Sequence, residues 1–400
     1  MPDHKKRDHA LLSASGASRW LNCSPSARLE DDLPNTESEH AKEGTYAHEL
    51  AELKIRNHLD PKNKSISDQL REKRKSAYYT KEFNEYVDVY VGYVIERYNS
   101  AKARNPKSII LIEERLDLTD FVNEGFGTGD AAIVDGESVE VIDLKFGRGV
   151  KVDAPGNDQL SIYGLGYLSK FELIYDLKKV TITIVQPRLD HISSDTWETP
   201  KLLDWGMKTV KPTAEVAFKG EGEFKVGSWC KFCKIKPTCK AMKQFATDSM
   251  KKDFSKAMPK DENDKVLNNA EMAEAFKNSK TVADWAKSVS EHVTKKALSG
   301  TKFPGLKLVR GKSNRKWSDE AFAEKALIKA GLKKTDIINS KIKGITDIEK
   351  LLGKTEFAEL NLTDKPPGAP ALVDASDKRP EYDPRGSLED DFSDDVEMIF

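Results

Sequence analysis

Ser138–Phe146 reads SVEVIDLKF and follows Gly127–Asp135, GTGDAAIVD. Both stretches read as strands, with Val and Ile at their apolar positions. The dipeptide Asp135-Gly136 between them is a strong signal for a tight hairpin turn. On the second strand Asp143 and Lys145 stand two residues apart, so strand alternation sets both on one face. Val141, Ile142 and Leu144 around them are apolar, which makes the strand at least partly buried. A carboxylate and an ammonium in such a strand need a reason to be there. Asp130 lies on the first strand, directly after Gly129, and pairing through the turn brings it toward Asp143 at one end of the sheet.

Reading outward, Ser108–Leu116 (SIILIEERL) is another strand and Asp158–Leu168 a helix. Lys179–Gln186 (KVTITIVQ) is a further strand, stopped by Pro187. Upstream, Leu11–Arg28 has helical spacing around Trp20 and Leu21. Glu43–His58 continues as a helix with His48, Glu52 and Leu53 near one another. Phe83–Arg104 is a long amphipathic helix with a Tyr/Val face. Helices packed on a mixed sheet follow, an α/β class. The chain divides into a helical part at 1–105 and a core with a cysteine lobe at 106–250. A Lys-rich, mainly helical accessory domain at 255–362 comes next, with Trp285 as a core residue of its helix at 271–298. A Pro- and Asp-rich tail at 363–400 has the composition of a disordered segment.

The 400 residues, 38% hydrophobic, suffice for one large core and a smaller unit. The net charge of −1 makes no case for nucleic acid by itself. Residues 365–400, however, hold four Lys/Arg and ten Asp/Glu, a net of −6, which leaves +5 on the remainder. No apolar run reaches the ~18 residues of a membrane span. The charged N-terminus carries no secretion signal. The expected location is the cytoplasm, where thiols stay reduced.

The cysteines are Cys23, Cys230, Cys233 and Cys239, the last three as C-x2-C-x5-C in WCKFCKIKPTC. Three close thiolates joined by one distant thiolate suit a tetrahedral metal site or a cubane cluster, and spacing alone admits both zinc and [4Fe–4S]. Disulfides are the lesser alternative in a reducing compartment. Lys231, Lys234, Lys236 and Lys240 are expected to help stabilise thiolates. Either metal would tether the N-terminal helix to the segment after the sheet.

Asp130, Asp143 and Lys145 form a hard-cation site with a cation beside it. That is the equipment for Mg²⁺- or Mn²⁺-assisted phosphodiester hydrolysis, in which the lysine orients the water or offsets charge on the phosphate. D-x-K alone is a weak motif, because exposed strands often alternate charges.

The order of elements resembles the RecB-like branch of the PD-(D/E)XK nucleases. The resemblance rests on four pieces and covers about residues 11–245. They are His48 in EGTYAHELAE, Asp130 in GTGD, Asp143 and Lys145 in IDLK, and Gln159 and Tyr163 in QLSIY. The cysteine pattern is similar to the subset of that branch with a [4Fe–4S] cluster, including AddB and the CRISPR-associated RecB-type exonucleases. The wording around Ser13–Pro25 and Trp229–Cys239 also looks like a phage and prophage domain family without a defined function.

The resemblance implies a restriction-endonuclease-like sheet, an iron–sulfur-braced lobe and exonuclease action on DNA in phage recombination or processing. It implies that His48, Asp130, Asp143 and the carbonyl of Leu144 bind Mg²⁺ or Mn²⁺, and that Lys145 serves the attacking water. It implies that Gln159 and Tyr163 position the DNA or the lysine, with a lesser role for Glu114 through a water. Cys23, Cys230, Cys233 and Cys239 would hold the cluster. Gly129 replaces the motif's proline.

Two features lie outside that match. Phe303–Trp317 is basic with aromatic ends and reads either as a phosphate-contacting segment or as a solvated loop. Glu389–Phe400 (EDDFSDDVEMIF) is similar to the acidic tails of single-stranded DNA-binding proteins. It suits docking to a phage single-strand annealing or DNA-binding protein, or simple solubilisation. The rival to a nuclease is an inactive DNA-binding or recruitment protein whose fold is held by zinc or an Fe–S cluster.

Overall fold

The computed structural model describes residues 10–31, 33–34, 39–254 and 269–306, with 325 and 329. The acidic tail, residues 307–317 and most of the expected accessory domain lie outside the described residues.

The stretch Leu11–Arg28 is not one helix. Ser13 caps a short 3-10 turn at Ala14–Gly16, its Oγ accepting the Gly16 N–H at 3.2 Å. Helix α1 (Ala17–Asn22) then stops at Cys23, and α2 (Ser26–Asp31) starts anew. Pro25 accounts for the break, since it disfavours helical backbone at the residue before it. Helices α3 (Glu39–Leu59), α4 (Lys64–Lys73) and α5 (Lys81–Arg104) follow, α5 with Thr80 as its cap.

Strands β1 (Ile109–Asp117), β2 (Phe126–Val134) and β3 (Ser138–Leu144) come next, then α6 (Asp158–Phe171), β4 (Lys179–Gln186) and β5 (His191–Glu198). The expected hairpin joins β2 to β3. Asp135 Oδ1 accepts the Ser138 N–H at 3.2 Å, and Gly136 takes φ +100°, which a side chain would oppose. Helices α7 (Thr199–Trp205), α8 (Lys211–Lys219), α9 (Lys240–Phe254) and α10 (Asn269–Leu298) complete the described chain.

The five strands lie in the order β1-β2-β3-β4-β5, antiparallel except for β3–β4. The parallel pair requires a crossover, and α6 supplies it. Alternate residues feed two cores. Ala132, Val134, Val139, Val141, Ile182 and Ile184 pack with α6, α1 and α8. Ile112, Ala131, Ile133, Ile142, Leu144 and Val185 pack with α3 and α5. The protein is therefore α/β, a mixed sheet with helices on both faces. Burying side chains such as Ile182 and Ile184, both 0% exposed, stabilises the sheet by about 1.5–3 kcal/mol each.

Strand β5 has no counterpart among the strands expected from the sequence, the last of which stops at Pro187. Its residues alternate half-buried and exposed throughout, and HISSDTWE has little apolar content. Its place comes from pairing with β4, where Thr181 meets Thr196 and Thr183 meets Ser194, hydroxyl to hydroxyl at 3.0 Å each.

Candidate functional site

The site forms where β2 and β3 part. Their ladder ends at Ala131↔Ile142. The Leu144 N–H, one step beyond, donates instead to Asp130 Oδ2 at 2.8 Å. Asp130 is thus anchored beside the Asp143–Lys145 strand, as expected from the hairpin.

His48 arrives from α3, its Nδ1 3.2 Å from Asp130 Oδ2. Two contacts pin that helix to the sheet. Arg56 donates to the Ile112 carbonyl at 2.9 Å. Arg188, just past β4, grips Glu43 with both terminal nitrogens at 2.9 and 2.6 Å. The Arg188 guanidinium also lies 4.3 Å from the ring centre of Phe146, the residue after Lys145. The helix bearing His48 and the strand bearing Lys145 therefore share one support.

Lys145 Nζ lies 3.0 Å from Asp143 Oδ2 and donates to Gln159 Oε1 on α6 at 3.0 Å. Gln159 in turn hydrogen-bonds Tyr163. The two glycines of GTGD make this packing possible. A Cβ on Gly127 would sit 2.7 Å from Tyr163 Cε1, and one on Gly129 would sit 2.8 Å from the Tyr167 hydroxyl. At Gly129 an aromatic side chain occupies the space that a Cβ would need.

One acid was misplaced by a single residue. Glu114 points away and pairs with Lys170 on α6. Glu113 is the acid at the site. The pairs Ile112↔Ala131 and Glu114↔Gly129 leave it opposite Asp130. Ligand atoms of His48, Glu113 and Asp130 all lie within 4.8 Å of one another. Glu113 adopts φ +50°, a strained backbone for a non-glycine residue. Strand parity changes across it: Ile109 and Leu111 pack against the α6-side core, and beyond Glu113 it is Leu116 that does so. Regular alternation could not have identified this residue.

The charges are mutually adjusted. Burial and the Asp130 carboxylate raise Glu113 to about 7, with His48 opposing. Burial opposes charge on His48, yet Asp130, Asp143 and Glu113 raise it to about 9. Burial would raise Asp130, but His48 and the Leu144 N–H hold it low. Asp143 is raised, by burial first and by Asp130, against the pull of Lys145. Burial works against the Lys145 charge, but Asp143 and Asp130 raise it. Burial drives the Tyr163 phenol well above its usual range. Asp143 is 3% exposed, and its Oδ2 has no hydrogen bond despite the nearby ammonium. An all-oxygen and imidazole donor set with an orphaned carboxylate oxygen fits a hard divalent cation.

The four cysteines are free thiols that line one cavity, with Ser26, Trp229 and Met242 around them. Among the described residues no three of their sulfurs lie within 4.8 Å of one another. Glu30 ties the two parts of this lobe together. It pairs with Arg19 at 2.7 Å and accepts the Lys234 N–H at 2.6 Å, across 204 residues of chain. Of the neighbouring lysines, Lys236 favours the thiolate of Cys230, as expected, against burial. Burial pushes Cys230 up, and burial with the Glu30 carboxylate pushes Cys233 to about 12, while Lys236 offsets only a little at Cys230.

Residues 9–380 match the model of a family described as "Protein of unknown function (DUF2800)". The chain belongs to DUF2800. Among solved structures, this DUF2800 chain is similar to one titled "Crystal structure of SSO0001", at 17% identity and a TM-score of 0.22. The match covers 56% of the DUF2800 chain and 96% of the other. No helix among its described residues is long and apolar enough to cross a membrane.

Proposed function

We propose that the protein is a divalent-metal-dependent DNA exonuclease with a RecB-like PD-(D/E)XK core. The observation that carries this is the gathering of His48, Glu113 and Asp130 within 4.8 Å, beside an ammonium held between Asp143 and Gln159. His48, Asp130, Asp143 and the Leu144 carbonyl, with Glu113 added, are the residues to hold Mg²⁺ or Mn²⁺. A bound ion would polarise the phosphate and lower the pKa of the attacking water.

The chain's own groups do the rest. Lys145 stays protonated and offsets charge that builds on the phosphate. Gln159 fixes the direction of its Nζ, and Tyr163 fixes Gln159. Asp130 orients His48, and Arg188 holds the helix that carries it against the strand that carries Lys145.

The cysteine lobe is proposed to hold a [4Fe–4S] cluster. Zinc bonded to thiolates at about 2.3 Å needs sulfurs within roughly 4 Å of one another. The four cysteines around one cavity suit a cubane, and anaerobically purified protein should then be brown, absorbing near ~400 nm. A colourless protein with stoichiometric zinc would reverse that assignment.

End-labelled linear DNA with Mn²⁺ tests the main reading. The wild type should release label progressively from an end and Lys145→Ala should not. Equal digestion by both, or none by the wild type, would defeat it.

A further inference from the structure

The cysteine lobe carries charge and aromatic surface that the thiols do not use. Residues 219–243 hold seven lysines against two acids, Glu221 and Glu223. Lys225, Lys231, Lys240 and Lys243 are exposed, and no ion pair joins them to a carboxylate among the described residues. These exposed lysines give the lobe a positive surface.

The C-x2-C turn explains what faces outward. Cys230 and Cys233 both line the cavity, so the two residues between them project away from it. These are Lys231 and Phe232. Phe232 is 73% exposed, with Lys231 Nζ 5.2 Å from its ring centre, and Phe224 on the same lobe is 46% exposed. Trp229 behaves differently. Its ring fills the space a side chain at Gly227 would need, and its Nε1 donates to the Lys225 carbonyl at 2.8 Å. Phe232 thus stands uncovered in a positive field.

We infer that this face binds a single DNA strand, with Phe232 stacking on a base and Lys231 and Lys240 meeting phosphates. An exposed ring among lysines offers the two interactions such strands use, and base faces are accessible only where bases are unpaired. The inference rests on the nucleic-acid reading above but not on the metal site. It makes the lobe a contact surface as well as a brace.

The test is fluorescence anisotropy of labelled dT20 with the full chain in EDTA. Phe232→Ala should weaken binding about fivefold or more, and Phe232→Trp should retain it. Lys231→Ala and Lys240→Ala should each lower the slope of log K against log salt by about 0.7. Thermal melts equal to wild type exclude misfolding as the cause. Wild-type affinity in Phe232→Ala, Phe224→Ala and the double lysine variant would overturn the inference. Tighter binding of a peptide of residues 389–400 than of dT20 would also overturn it, in favour of a protein contact. Binding that follows these expectations without Mn²⁺-dependent cleavage would defeat the nuclease reading alone.

Discussion

Glu113 stands opposite Asp130 across β1 and β2, two carboxylates at facing strand positions. Like charges so placed destabilise a sheet. His48 takes up part of the charge, and the remainder is a standing demand for a cation.

That demand has a pH signature. Glu113 titrates at about 7 in the fold, above its ordinary 4.5. A carboxyl raised in this way costs stability once ionised, so stability falls as pH climbs from about 4.5 to 7. His48 is raised from 6.5 to about 9. Its stabilising contribution is complete below 6.5 and lost as pH rises through 9. Both act in one direction. Melting curves in EDTA should therefore show a falling Tm from pH 5 to 9. Glu113→Gln should remove the lower half of that fall, and excess Mn²⁺ should flatten it. A Tm that rises with pH in EDTA would contradict the assignment.

Lys145→Ala should lower kcat by about 10²–10³-fold without weakening Mn²⁺ binding, because the ammonium acts on developing charge and not on the ion. Gln159→Ala should show a smaller loss in kcat. Calorimetric Mn²⁺ titration alongside single-turnover cleavage separates the two effects.

Arg188 is 10% exposed at its side chain and holds Glu43 with two bonds while stacking on Phe146. Arg188→Ala should cost about 1.5–3 kcal/mol in urea denaturation, through loss of the two charge-assisted hydrogen bonds to the partly exposed Glu43 carboxylate. Arg188→Lys should recover little, since an ammonium has neither the planar fork nor the stacking face. A double-mutant cycle with Glu43→Ala should return a coupling of at least about 1 kcal/mol.

Gly129→Ala should cost about 1–3 kcal/mol, because the new methyl meets the Tyr167 hydroxyl at 2.8 Å. That hydroxyl is buried without a partner. Tyr167→Phe should then be neutral or stabilising. In the double variant it should rescue most of the Gly129→Ala loss, since the remaining ring atoms are 3.4 Å or more away. Additive losses would show that the clash lies elsewhere.

Much of this architecture is legible in single stretches of chain. The Asp135-Gly136 turn, the apolar strands on either side and the helix over 158–168 are all local matters of backbone conformation and side-chain period. The juxtaposition of Asp130 with Asp143 and Lys145 follows from that one turn. The exchange of Glu114 for Glu113 at the site is also local in origin. Counting by twos assumes regular strand backbone, and a residue at φ +50° breaks the count.

Read by itself, the chain of amino acids determined the class of fold, strands β1 to β4 with α6 between the last two, and Asp143 and Lys145 two residues apart at the end of β3. The tertiary structure alone decided that β5 joins the sheet, that Glu113 and not its neighbour faces Asp130, and that the four cysteines line one cavity. The reason is physical. Periodicity and turn chemistry act over a few residues, whereas register, desolvation and long-range ion pairs such as Glu43–Arg188 exist only once distant segments have packed.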